Sequence, residues 1–558
     1  MADLPVKWMA LAICALGALA GGIRAAQSAE PQSVVVSGQR ATSSWVRAES
    51  AHFVVISDVA REDVIRFVEH LERLDGLLRI YIAGYGATAA GPEPKRNVIY
   101  LDTFDSLMRI WPHVTFGVIS QSTDCLGDTQ HFYMHLEPLP TVEDDKLAVA
   151  PLHTRLSRAS WWYARRFLYQ HTDVRVPPAW IEGFSQYFAS TMFGTKQMVI
   201  GRMPPDVNSY FHRSDNGDVY LLDYSDVLAR DPLKNVHGLL QRQAAANEFG
   251  AKSWLLAHYI LGASERRQRL GMFLNAVDRG GDAAAAAALR DAFGLDVDDA
   301  GMTLWRYRLR AAEVLRVEMP PQLLARPEVA ITTLSARSGE FALTDAVLKG
   351  CPARADGERL LRTLSVDAAR VPNVDAGQLA LSRAQLGWGD PAAALPWLER
   401  AARRGDASAD VLVLLARAHL KLAARTDASA RAAHLDDARA SLARARERAP
   451  GSGAVALAGL ELSLLADDAP SREALDAVLA AWSVGRDSSS LGRAAALAWC
   501  YLGDAARADH VLHMLANGGL YKDHTAWAVE FQRRLDAGLT LAAIADEMRR
   551  KPPDGTDE

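Results

Sequence analysis

Glu182 carries the most chemical promise in this 558-residue chain. It sits in Pro178-Ala179-Trp180-Ile181-Glu182-Gly183-Phe184-Ser185-Gln186-Tyr187-Phe188, a mostly apolar run. A carboxylate buried there must meet a cation, ligate a metal or take up a proton. Zinc chemistry would need two more ligands one helical turn apart, the spacing of H-E-x-x-H, which puts both imidazoles on one helix face. The chain contains no H-E-x-x-H. Upstream stands Trp161-Trp162-Tyr163-Ala164-Arg165 instead. Tryptophan offers only an N–H donor, and arginine keeps its proton and repels cations.

Other candidate ligands are badly spaced. His131 and His135 would suit a metal on a helix, but His131-Phe132-Tyr133-Met134-His135 reads as a strand beside Glu137. Two residues four apart on a strand lie about 13 Å from each other, at roughly 3.3 Å per residue. His153 and His171 fall at opposite ends of one expected helix. Ser185 lacks the second glycine of a nucleophile elbow, and no G-x-x-x-x-G-K-[ST] phosphate loop occurs. Glu143-Asp144-Asp145 reads as a solvated loop.

Several elements are expected to position these residues. Phe53–Ser57 and Asn97–Leu101 are β-branched runs with strand character, as are residues 115–120 and 131–137. Between the first two, Val64, Phe67, Val68, Leu71, Leu74, Leu77 and Leu78 recur at helical spacing over 61–83. Helices are expected over 152–170 and 179–192, separated by Pro177-Pro178, and again over 253–261, 265–277 and 302–315. Met319-Pro320-Pro321 marks a linker. Beyond about 325 the chain turns helical and rich in Ala, Leu and Arg, with Gly389-Asp390 and Gly503-Asp504 as turns between helices.

The composition, 49% hydrophobic and 23% charged, suits chains that bury real cores. A net charge of -5 without a basic run argues against nucleic acid, whose phosphates need clustered Lys and Arg. Lys7, the apolar Trp8–Ile23 stretch and the small residues up to Ala29 read as an export signal over 1–29, followed by a polar linker over 30–43. Cleavage at Ala18-Leu19-Ala20 is a second option, and an uncleaved membrane anchor is the alternative. Cys14, Cys125, Cys351 and Cys500 are too scattered for a disulfide framework. A single bridge stays open, and buried free thiols are the expectation.

The Trp180, Glu182, Gly183, Tyr187 and Phe188 pattern resembles the glutamate helix of the peptidase-MA-like group of gluzincins, the DUF1570-like proteins. The resemblance spans roughly 44–315. It implies an α+β fold, a small sheet plus helices, with an N-terminal segment over 44–150 and a helical part over 151–317. The family's spacing places the two metal histidines at Trp161 and Arg165 and the catalytic glutamate at Trp162, so all three chemistry-bearing positions have the wrong type. Residues 325–550 resemble tetratricopeptide repeats, an all-α arrangement of stacked helix pairs that binds proteins or peptides. The expectation is therefore an exported, periplasmic or secreted, non-catalytic protein acting through protein or peptide binding. No cofactor is expected, and Arg165 pairs with Glu182 in place of a metal. The alternative for Arg165 and Arg166 is a solvated helix face. The alternative functions are an active zinc peptidase with atypical ligands and a plain repeat scaffold.

Overall fold

The computed structural model describes residues 44–83, 85–86, 93–112, 119–121, 131–135, 142–147, 150, 152, 154–172, 176–215, 221–280, 284–311, 314–467, 469–486, 488–516 and 522–550. The expected signal, the linker, Cys14, Cys125, Glu137 and His153 lie outside the described residues. So do 115–118 of one expected strand.

Among the described residues nine strands form two sheets: β1 (Val46–Glu49), β2 (Phe53–Ser57), β3 (Arg96–Leu101), β4 (Ile119–Gln121), β5 (His131–His135), β6 (Met192–Phe193), β7 (Gln197–Ile200), β8 (Leu315–Glu318) and β9 (Ala330–Thr333). The larger sheet runs β4-β5-β3-β2-β1-β9 and is mixed. Its β2-β3 and β3-β5 pairs are parallel, and its β4-β5, β1-β2 and β1-β9 pairs are antiparallel. The smaller sheet is antiparallel, in the order β6-β7-β8. Parallel strands need a long crossover, and the Arg61–Ile82 helix supplies it between β2 and β3. All seven apolar positions read from its sequence are buried.

Both faces of the large sheet are covered. Val55, Val98, Tyr100, Phe132 and Met134 share a core with the Arg61–Ile82 and Thr154–His171 helices. Ile99, Leu101 and Tyr133 on the other face pack with Phe341 and Val347 of the Ala336–Lys349 helix. Strands buried on both sides read as continuous apolar runs, as Val98 to Leu101 does. The chain beyond 325 thus contributes both β9 and a covering helix to the N-terminal sheet. The described residues from 44 to 550 belong to one compact unit.

The C-terminal half is helical. Its helices come in consecutive pairs: Ala336–Lys349 with Arg354–Arg370, Asp375–Trp388 with Pro391–Arg403, Ala409–Ala423 with Ala428–Arg448, Gly453–Asp467 with Arg472–Val484, Ser489–Tyr501 with Ala505–Ala516, and Lys522–Asp536 with Leu541–Arg549. The first helix of each pair packs on the first helix of the next pair along the whole series. Ser335, Asp390, Ser408, Asp427, Ser471, Ser488 and Thr540 cap helix starts, each side chain accepting a backbone N–H of the first turn. At the second of the expected turns Gly503 takes φ +80, a left-handed conformation that suits glycine, and Asp504 Oδ1 accepts the N–H of Arg507 at 3.0 Å.

Cys351 is disulfide-bonded, which corrects the expectation of free thiols at that position; its partner lies outside the described residues. Cys500 is the buried free thiol, pushed up to about 11 by burial.

Candidate functional site

The Thr154–His171 and Pro178–Ala189 helices pack side by side. Pro178 opens the second at its first turn, where a missing N–H breaks no helical bond. The first helix is held from behind by the Arg61–Ile82 helix. Tyr163 Oη donates to Asp75 Oδ1 at 2.6 Å, and His70 Nε2 lies 3.0 Å from Ser160 Oγ. Trp162 turns toward the sheet and packs on Phe132, with the buried Arg166 guanidinium over both rings. Trp161 and Arg165, one turn apart, turn the other way, toward the second helix.

There they meet Glu182. Its Oε1 accepts from Trp161 Nε1 at 3.1 Å and from Gln186 Nε2 at 2.9 Å, and its Oε2 accepts from Arg165 Nη1 at 2.8 Å. The Arg165 and Glu182 side chains are 20% and 11% exposed, so the ion pair is largely shielded from water. Arg165 also lies over the Trp161 ring, 5.6 Å from its centroid, an arrangement that favours the cation further. Buried Tyr169, one turn beyond Arg165, has its phenol pushed up by burial. Arg165 opposes that push and Glu182 reinforces it.

A third helix, Leu239–Leu261, closes the far side. A Cβ on Gly183 would stand 2.2 Å from the Ser253 carbonyl oxygen, so only glycine lets these backbones approach this closely. At Gly250 a Cβ would stand 3.6 Å from Glu182 Oε1, which brings this helix against the carboxylate as well. Trp180 and Tyr187 are core residues. The Tyr187 ring packs under Gly201, whose φ of +71 turns the chain just after β7.

The remaining sequence candidates are dispersed. His131 and His135 do lie on a strand. His131 is buried and held well below the ordinary histidine range by burial, with the Lys349 and Arg383 cations adding to the shift. His135 Nδ1 faces the Leu101 carbonyl at 3.3 Å. His171 is driven down to about 3, mainly by burial, and its Nδ1 lies 3.6 Å from Glu93. Asp144, in the acidic loop, accepts the N–H groups of Thr195 at 2.8 Å and Lys196 at 3.1 Å, anchoring the β6-β7 turn.

Two features were missed in the sequence. Gln186 reaches Glu182 across one helical turn, a relation its i, i+4 spacing could have shown. Among the described residues, the only three His, Cys, Asp or Glu side chains grouped to suit a metal are His419, His434 and Asp437. They lie on the helical pair Ala409–Ala423 and Ala428–Arg448, not around Glu182. His434-x-x-Asp437 was the available signal.

As built, the Glu182 site can hold a charge pair in place. Both carboxylate oxygens already accept hydrogen bonds, and the neighbouring charge is a permanent cation. No family model, curated protein or solved structure matches this chain. Among the described residues no helix is long and apolar enough to cross a membrane.

Proposed function

We propose that this chain is an exported, non-catalytic protein with a peptidase-MA-like frame, and that it acts by binding protein or peptide through its helical C-terminal half. One observation carries the reading: Arg165, Trp161 and Gln186 together occupy the carboxylate of Glu182. In the gluzincin frame that carboxylate is a zinc ligand, and positions 161 and 165 are the other two. The convergence of the three positions supports this reading, with two hydrogen-bond donors in place of two imidazoles.

Two further observations support the rest. The series of first helices begins at Ala336, Asp375, Ala409, Gly453, Ser489 and Lys522. Those starts lie about 33 to 44 residues apart, around the 34 of tetratricopeptide repeats. Such stacking leaves an extended surface suited to polypeptide ligands. The disulfide at Cys351 fits an oxidising compartment, because cytosolic thiols are kept reduced.

The test uses the purified mature chain and its Glu182→Ala variant. Hydrolysis of a denatured protein substrate should stay at background with added zinc, and no zinc should depend on Glu182. Zinc lost in Glu182→Ala together with peptide cleavage would establish the peptidase instead. Saturable binding of extended peptides, read by fluorescence anisotropy, is expected. Failure across a varied panel would remove the binding half of the proposal.

A further inference from the structure

We propose that His419, His434 and Asp437 form a divalent transition-metal site, of the zinc class, on the C-terminal helices and separate from the Glu182 pocket. His419 lies on the Ala409–Ala423 helix, and His434 and Asp437 lie on the Ala428–Arg448 helix that follows after a short turn. The i, i+3 spacing puts the latter two on one face, toward the first helix. His419 Nδ1 lies 3.1 Å from His434 Nδ1 and 3.8 Å from Asp437 Oδ2. One ligand atom from each residue lies within 4.8 Å of the other two.

Zinc bound at 2.0–2.1 Å in tetrahedral geometry separates its ligand atoms by about 3.3 Å. The two imidazole nitrogens already stand at that separation. Asp437 needs only a small rotation to complete the set, and with 63% of its side chain exposed it can make one. Two imidazoles and one carboxylate suit zinc, copper or nickel, whereas calcium and magnesium ask for more oxygen ligands. The buried His419 fixes one side of the site and the exposed Asp437 leaves room for a water ligand on the other.

The competing account is a hydrogen bond between two neutral imidazoles, one Nδ1–H donating to the other Nδ1. It leaves Asp437 with only a long-range attraction to His419, since 3.8 Å is too long for a hydrogen bond. A metal would use all three groups and clamp the two helices together.

Tag-free full-length mature chain titrated with zinc alone, followed by calorimetry and by the thermal midpoint, tests this. One equivalent should bind and raise the midpoint. His434→Ala and Asp437→Asn, both on the more exposed helix, should each weaken binding at least by the roughly 10–100-fold that loss of even a supporting residue costs a metal site. Glu182→Ala should leave this binding unchanged, which separates it from any metal held in the peptidase-like pocket. Absence of zinc binding, or binding that both variants leave intact, would overturn the proposal.

Discussion

Arg165 Nη1 stands 2.8 Å from Glu182 Oε2, and the two side chains come from adjacent helices. Trp161, one turn before Arg165, takes the second oxygen at 3.1 Å. The pocket is thus closed by charge and hydrogen bonding at once. An ion pair of this burial is stabilising mainly because each partner would be costly alone.

Removing one partner should therefore hurt more than removing both. Arg165→Met is expected to destabilise by about 1–3 kcal/mol, below the full buried-pair range because a fifth of the Arg165 side chain reaches solvent. Glu182→Gln should cost less, since its amide still accepts from Trp161. The double variant should recover part of the loss. Urea midpoints for the four chains give the coupling, and strictly additive effects would mean the pair is not coupled.

Restoring ligand types should restore a metal site, if the frame is that of a gluzincin. The variant carrying Trp161→His and Arg165→His, in a His434→Ala background to silence the other candidate site, is expected to gain zinc that a further Glu182→Ala removes. Trp162 stays, because it packs on Phe132 and not on Glu182. Failure to gain zinc in a folded variant would argue that positions 161, 165 and 182 converge for reasons unrelated to peptidase ancestry.

Much of this geometry was legible where local spacing carries it. The Arg61–Ile82 helix announced itself through seven apolar positions, and a lone glutamate in an apolar run asked for a partner, which the gluzincin resemblance rather than local spacing placed at Arg165. Long-range pairing was not legible. Ala330-Ile331-Thr332-Thr333 is too short to signal a strand, yet it pairs with Val46–Glu49, far away along the chain. The Leu239–Leu261 helix was expected only from Ser253, because residues 239–244 are exposed and show no apolar stripe. The grouping of His419 with His434 depends on how two helices face each other, which spacing along one helix does not reveal.

Gly183→Ala tests the helix contact that seats the pocket. The added methyl would meet the Ser253 carbonyl oxygen at 2.2 Å and Ala257 Cβ at 2.9 Å. A backbone atom cannot swing aside, so the helices must separate. Overpacking of this kind costs typically about 1–3 kcal/mol and here should reach the upper end. The loss should appear in the urea midpoint together with altered near-UV dichroism of Trp161 and Trp180. An unchanged midpoint would mean that the two helices do not approach as described.

Acid should loosen the same region before its carboxylates titrate. Burial drives His70 down to about 4, with Arg73 adding to the shift, and His171 down to about 3. An unfolded chain holds both near 6.5, so between those values the unfolded state binds protons that the native state refuses. Their contribution is fully present above pH 6.5 and is lost as pH falls toward 4. His52 acts oppositely. The Glu72 carboxylate raises it, so its contribution is present below pH 6.5 and fades as pH climbs through the raised value. His131 and His419, also held down by burial, act the same way, so the depressed histidines outweigh the one raised group, and the expected net loss from pH 7 to pH 5 is at least on the order of 2–4 kcal/mol. Urea midpoints across that window isolate the histidines, because ordinary carboxylates are still ionised there. His70→Gln, which keeps a polar group beside Ser160, should remove a distinct part of the slope. A flat profile from pH 7 to 5, or a slope that His70→Gln leaves intact, would show that these imidazoles accept protons without unfolding the chain.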